Sequence, residues 1–185
     1  DYLHATDSKD DRLLANATGL LDRGYKKLVT FETKEKGYEW FGSNPGHEAL
    51  TAYGLMQFND MKKVGGKVDQ EMLDRTAKWL MDRKDGKGGF SRNGRALDYF
   101  GRASEEVTNA YIIYSLSEAG YTDIKKEFTA AYESAKKGDA YVMALVANSA
   151  YNLNEKAKGD ALMSDLLKKQ NKDGIFAGAA HSITF

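Results

Sequence analysis

The chain has 185 residues, no Cys, one Pro and 18 Gly, and its 27 basic residues balance 27 acidic ones. A chain of this length buries roughly 70% of the surface its unfolded form exposes, which excludes a disordered tail or a mini-protein. The formal net charge of +0 gives no general electrostatic hold on nucleic acid or anionic lipid, and the missing thiols exclude disulfides, thiolate zinc, iron–sulfur clusters and a cysteine nucleophile within these residues.

Long stretches of helical periodicity lie between glycine clusters, with almost no alternating Val/Ile/Thr runs, so the reading is all-α with seven helices. The first spans roughly 10–30, with Leu13, Leu14, Ala17, Leu20, Leu21 and Leu28 on one side and Lys, Asp and Arg on the other. The second starts near Pro45, a residue suited to a first helical turn, and runs from His47 to Phe58, apolar nearly all round and therefore buried. Asp69 caps a third helix whose stripe is Met72, Leu73, Thr76 and Leu80, while Asp74, Arg75, Lys78 and Asp82 face water. Ser104 caps a fourth, with Glu105 and Glu106 in its first turn, an apolar run from Ala110 to Leu116, and Gly120 as its stop. A charged helix follows over about 122–136, then the apolar Ala140 to Ala147, then a charged helix opened by Asn154 and ending near Gln170. The longest apolar stretches fall short of the ~20 residues that span a bilayer, and the polar start Asp1-Tyr2-Leu3-His4 does not read as a signal peptide.

Apolar and amphipathic helices take turns along the chain. That order suits a curved or closed array of helical hairpins, because inner helices touch neighbours on all sides while outer ones keep one face in water. The expected architecture is therefore an α/α toroid or solenoid. A degenerate repeat agrees with it: Trp79 to Gly86 resembles Leu166 to Gly174, each leading to a Phe (Phe90, Phe176), with Asp85 and Asp173 offset by 88 residues. Gly37-Tyr38-Glu39-Trp40-Phe41 ends the first outer helix in a similar style, and Thr51-Ala52-Tyr53 is echoed by Thr108-Asn109-Ala110-Tyr111.

Residues with chemistry to offer have plainer uses. His4, His47 and His181 are too scattered for a local metal motif, and His47-Glu48 lacks the second His of a helical zinc protease, so His47 reads as a cap or a pore-lining residue. Asp10 and Asp11 precede a helix and complement its dipole. The run Asp85-Gly86-Lys87-Gly88-Gly89-Phe90 lacks a Gly-Lys-Ser/Thr ending and follows a helix, so it reads as a turn and not as a phosphate loop. Asn16-Ala17-Thr18 matches a glycosylation acceptor, but inside a helix. The Tyr and Phe residues read as core, not as stacking platforms for bases. Gly86 to Ala103 is longer than a hairpin needs. It carries Arg92, Arg95, Arg102 and Asp98, and is either a functional loop or one packed down by Leu97, Tyr99 and Phe100.

Three pieces in order carry a likeness to a known family: Gly24-Tyr25-Lys26-Lys27-Leu28 leading to Gly37-Tyr38-Glu39-Trp40-Phe41-Gly42; Leu50-Thr51-Ala52-Tyr53; and Trp79-Leu80 through Asp85-Gly86 to Gly89-Phe90. Glu106-Val107-Thr108 with Ala110-Tyr111, and the terminal His181-Ser182-Ile183-Thr184, match as well. Over nearly its whole length the chain resembles the thioester-containing domain of the alpha-2-macroglobulin and complement superfamily. The resemblance implies an α/α toroid, here incomplete, over a single domain 1–185. In that family the centre is an internal thioester in a Gly-Cys-Gly-Glu-Gln motif, which is absent here, so the chain reads as a fragment that begins downstream of it and stops before the last inner helix.

Without the thiolate leaving group these residues acylate no target by themselves. Complement-like relatives also use a His in the long loop, and here no His lies between His47 and His181, which is closer to the protease-trapping macroglobulin branch. If the parent also lacks the Cys, the domain is a structural or binding module. The favoured expectation is a non-enzymatic scaffold within a macroglobulin-like endopeptidase inhibitor, extracellular or periplasmic. It carries no catalytic, cofactor or metal residue, and its partners are proteases and the other domains of the parent. An α/α-toroid enzyme of terpene cyclase, prenyltransferase or glycosidase type is the alternative, which would need an acidic cluster or a zinc site at the toroid mouth, with carboxylates at inner-helix starts such as Glu48 and Glu106 as an example; a helical-repeat peptide binder is another. An open toroid also exposes apolar helix surface, so self-association is expected.

Overall fold

The computed structural model describes residues 2–7, 9–94 and 103–176. Among them eight helices follow one another: α1 (Tyr2–Ala5), α2 (Asp11–Val29), α3 (Glu48–Lys63), α4 (Gln70–Met81), α5 (Glu105–Glu118), α6 (Lys125–Ala135), α7 (Ala140–Asn152) and α8 (Lys156–Leu167). No strand forms among the described residues beyond three isolated bridges. The single-turn α1 has no counterpart in the sequence reading; four residues are too few for periodicity to register.

Side-chain oxygens open the helices where the sequence places them. Asp10 Oδ1 accepts from the Leu13 N–H at 2.9 Å, Asp69 Oδ1 from Glu71 at 3.0 Å and Ser104 Oγ from Val107 at 3.3 Å. Asp139 does the same for α7 through Val142 at 3.0 Å. Two expected starts move. Pro45 lies outside α3, because His47, in extended backbone, caps that helix with its own side chain and Glu48 is the first helical residue. Asn154 does not open α8. It sits at φ 60°, in the left-handed region that closes α7, and the next N–H, that of Glu155, reaches back to the Ala150 carbonyl at 2.8 Å.

The inner row is α3, α5 and α7, with α5 between the other two. They run in one direction: Glu118 at the end of α5 meets Lys63 at the end of α3 at 3.1 Å and Asn152 at the end of α7 at 2.9 Å. The outer helices return antiparallel and cover this row. The expected alternation is present, since α5 buries nine residues and α7 eight while α2 buries none. Leu55, Phe58, Met72, Leu80, Ile112, Ile113, Leu116 and Phe128 fill the space between the layers. The buried hydroxyls within the helices bond the carbonyl one turn back: Thr51 to His47, Thr76 to Met72, Thr108 to Ser104, Ser115 to Tyr111 and Ser149 to Leu145.

The repeat seen in the sequence is a small closed loop after an outer helix. Glu32 bridges Tyr38, Lys84 bridges Phe90 and Gln170 bridges Phe176, each pair following the end of α2, α4 or α8 by the same interval. Inside each loop one N–H reaches four residues ahead: Thr33 to Gly37, Asp85 to Gly89 and Asn171 to Ile175. The structure thus pairs Asp85 with Asn171, not with Asp173 as the Asp-Gly match had it. The left-handed position of the loop falls on Lys36 (φ 73°), Gly88 (φ 107°) and Gly174 (φ 81°). What recurs is an oxygen-bearing side chain and a positive φ, and matching Asp-Gly letters alone misses that register.

The first two loops are joined through Trp79. Its ring lies so close to Gly37 and Gly46 that an added Cβ would sit 2.6 Å and 2.7 Å from ring atoms. Trp79 is itself buried and cannot swing aside. Gly37→Ala is expected to lower unfolding stability by about 2 kcal/mol, by the overpacking mechanism, in urea titrations followed by circular dichroism. Wild-type stability in that variant would contradict the contact.

Candidate functional site

The N-termini of the inner helices and the long loops of the outer ones meet on one rim of the array, and the buried polar groups there form one cluster. Glu48, first residue of α3, is 1% exposed. Its Oε1 meets Arg83 Nη2 at 2.7 Å and accepts the Asn93 N–H at 2.6 Å. The Arg83 guanidinium lies over the Trp79 ring at 4.5 Å and donates through Nε to the Ser91 carbonyl at 3.1 Å. Arg92 Nη2 donates to the Ala103 carbonyl at 2.7 Å, which ties the two ends of the long loop together. An arginine that stacks on an aromatic face while its donors reach a carboxylate and a carbonyl uses its planar fork fully, and a lysine could not replace it.

His47 caps α3 as expected: Nδ1 accepts from Ala49 N at 3.1 Å and Leu50 N at 3.5 Å, so that nitrogen is the unprotonated one. The glycine run forms a turn organised by Asp85, whose Oδ1 accepts from Lys87 N at 2.6 Å and Gly89 N at 3.0 Å. These bonds, the one from Gly89 first, hold the Asp85 carboxyl below its usual range. Phe90 N then donates to Asn109 Oδ1 on α5 at 3.2 Å.

Glu48 and Glu106 do not form an acid–base pair. Glu48 is held by Arg83 and Asn93, whereas Glu106 Oε1 accepts from Ser134 on α6 at 2.6 Å, beside a cavity of about 190 Å³ under Gly88 and Asn109. Arg95, Leu97, Asp98, Tyr99, Phe100, Arg102 and His181 lie outside the described residues. Asn16 is exposed in the middle of α2, as its place in the helix implied. Among the described residues no group of three or more His, Asp and Glu is arranged to hold a metal ion.

Sequence reasoning missed two groupings. The Arg83–Glu48 pair joins residues 35 positions apart and carried no local signal; a Glu at the start of an apolar helix and an Arg after a Trp were its only traces. The second is a set of tyrosines from all three inner helices. Burial pushes the Tyr111 phenol up, and its neighbours Tyr141, Tyr53 and Tyr114 push it the same way. The Tyr111 phenol therefore stays protonated at neutral pH and does not serve as a ready base. At the other end of the row burial alone would raise Glu118, but donation from Asn152 and Lys63 holds it below its usual range.

The family model for the A-macroglobulin TED domain matches residues 1–176, and the chain belongs to that family. It is 24% identical over 180 residues to thioester-containing protein 1 allele S3 of Anopheles gambiae, a match over 95% of this chain and 13% of that protein. Allele R1 is 27% identical over 161 residues, 83% of this chain and 12% of its own length. Native alpha-2-macroglobulin of Escherichia coli, from domain MG7 to the C-terminus, superposes with a TM-score of 0.66 at 13% identity, over 88% of this chain and 26% of that one. The native conformation of the same E. coli protein gives 0.65 at 15% identity, over 84% and 10%. The chain thus spans only about an eighth of these mosquito proteins. The structural likeness, at such low identity, concerns the fold.

The loop chemistry gives a direct test. Asp85→Ala removes the acceptor of two loop N–H groups and is expected to cost about 1 kcal/mol, whereas Asp85→Asn keeps the oxygen in the geometry that Asn171 already uses and is expected to cost less. Because the folded Asp85 carboxyl titrates below its unfolded range, its contribution is present above that range and is lost as pH falls through the folded value. Acid unfolding curves should therefore show that loss in the wild type and not in Asp85→Asn. Coincident pH dependence of the two would refute the assignment.

Proposed function

We propose that residues 1–185 form one domain, an incomplete α/α toroid, that acts as a non-enzymatic scaffold within an alpha-2-macroglobulin-like protease trap outside the cell or in the periplasm. The observation that carries this reading is membership of the TED family over residues 1–176. The inner and outer helical layers of the chain support it.

The chemistry of these residues agrees. A thioester is an activated acyl group whose leaving group is a thiolate, and no Cys lies in the chain. These residues can support and shield such a group but cannot form it. With no His between His47 and His181, they also lack the imidazole that a hydroxyl-directed transfer would use, which favours capture by trapping over labelling of surfaces. The toroid-enzyme alternative loses its carboxylate pair, since Glu48 and Glu106 answer to different donors. Proteases and the remaining domains of the parent are the partners under this reading, and no helix among the described residues is long and apolar enough to cross a membrane.

The first measurement is on the full-length parent: the sequence just before Asp1, then intact mass and free thiol with and without methylamine. Under the proposal the parent, mixed with an active protease, leaves cleavage of small peptides nearly intact and suppresses cleavage of large proteins. Methylamine-dependent thiol release would add the thioester. Equal loss of both cleavages, or of neither, would sink the trap. Self-association belongs to the same picture, because Leu13 and Leu20 stand exposed on α2, the outer helix at one edge of the row. Light scattering of the 185-residue chain should show mass rising with concentration, and a constant monomer mass would remove that element.

A further inference from the structure

We propose that the loop rim of the array is a docking surface for an acidic polypeptide segment carrying aromatic or apolar side chains. The inference goes beyond the trap reading and does not depend on it. Its first basis is placement. Hairpin topology sends the long connections after α2 and α4, and the segment after α8, to the end where the inner helices begin, while the opposite end has only short turns. In helical arrays extra length gathered on one face is commonly the binding face.

Its second basis is charge. The chain as a whole is neutral, yet the rim segments 30–47, 82–94, 136–139 and 168–176 hold eleven Lys and Arg against seven Asp and Glu. Four of those seven acids are turned to internal duties. Glu32 is held by Arg75 at 2.6 Å, the buried Glu39 accepts from Phe41 N at 2.9 Å, Asp85 organises its loop and Asp139 caps α7. Lys34, Lys87, Lys169 and Lys172 are exposed and make no ion pair with a described residue. Lys36, Arg83, Lys84, Lys136 and Lys168 are engaged in turn by Glu32, Glu48, Asp123, Glu133 and Asp165, so the surplus that faces solvent is carried by Lys34, Lys87, Lys169 and Lys172, and it attracts negative charge.

Its third basis is a pair of aromatic side chains displayed on the same rim. Trp40 is 43% exposed and Phe41 75%. They are not on a loose tip. The Glu39 carboxylate holds the Phe41 N–H from below, the Gly42 N–H donates to the Glu39 carbonyl at 3.2 Å, and Gly42, at φ 72°, passes so close to the Thr30 carbonyl that a Cβ would lie 2.9 Å from it. A preorganised Trp–Phe pair on a rim that also exposes lysines suits an interface whose partner supplies apolar contact and carboxylates, since aromatic anchors carry much of the binding energy and charge steers the approach.

The test titrates the 185-residue chain with a random glutamate–tyrosine copolymer at near-physiological salt and follows tryptophan emission. The change is expected to come from Trp40, because Trp79 is buried. Three variants accompany it: Lys34, Lys87, Lys169 and Lys172 each →Glu together; Trp40→Ala with Phe41→Ala, read by copolymer anisotropy; and, as the control at the other end, Lys62→Glu with Lys67→Glu. Circular dichroism confirms that each is folded. The proposal expects saturable binding that weakens by at least about tenfold in both rim variants and changes little in the control. Absence of saturable binding, or equal loss in the control, overturns it. So does tighter binding to phosphatidylserine vesicles than to the copolymer, which would make the rim a membrane-facing surface instead.

Discussion

The structure depends on three inner helices, of which α5 and α7 have almost no polar face and α3 becomes polar in its last turns. α3, α5 and α7 must each touch a neighbour over most of their circumference, and a helix can do that only if its side chains are small or apolar and its hydroxyls are satisfied within their own helix. Thr51, Thr108, Ser115 and Ser149 meet this condition by bonding one turn back. The outer helices then need a single apolar stripe, and Met72, Leu73, Thr76 and Leu80 on α4 are such a stripe. Parallel packing of the inner row is what gathers all the long connections at one end and leaves the Lys63–Glu118–Asn152 contacts at the other.

At the loop end, polar groups are buried and so must be paired. Glu48 is enclosed by α3 and the loop after α4. A carboxylate so placed would be costly alone, but it becomes a joint once Arg83 and the Asn93 N–H both reach it. Trp79 closes the same joint from the other side by filling the space over Gly37 and Gly46 and by taking Arg83 on its face. Two loops far apart in sequence are thereby tied to one helix start. This is a structural use of groups that would be catalytic candidates elsewhere.

The recurring bridge-closed loop shows how a repeat survives loss of its letters. Its requirements are an N–H reaching four residues ahead and one left-handed residue. An oxygen-bearing side chain is found at its first position, as Thr33, Asp85 and Asn171, although only the last two use it on the loop's own N–H groups. Lys36 occupies the left-handed place that Gly88 and Gly174 fill elsewhere, and its ammonium meets Glu32 at 3.7 Å across the turn. Such a loop tolerates change of its residues as long as the reaching N–H and the left-handed position remain.

Helical class, the order of apolar and amphipathic helices, and the caps at Asp69 and Ser104 were legible in the sequence, with capping one of the two uses read for His47 and a dipole role read for Asp10. These depend on residues within one or two turns of each other, and local hydrogen bonding and periodicity decide them. The family likeness was legible for the same reason, through Trp79 to Phe90 and Gly37 to Gly42 in order. Tertiary structure alone decided that Glu48 answers to Arg83 and not to Glu106, that the loop register pairs Asp85 with Asn171, that Asn154 ends one helix instead of opening the next, and that tyrosines of all three inner helices come near the buried Tyr111. Each of these turns on which distant groups compete for the same donor or the same space, and that competition exists only once the inner row has packed.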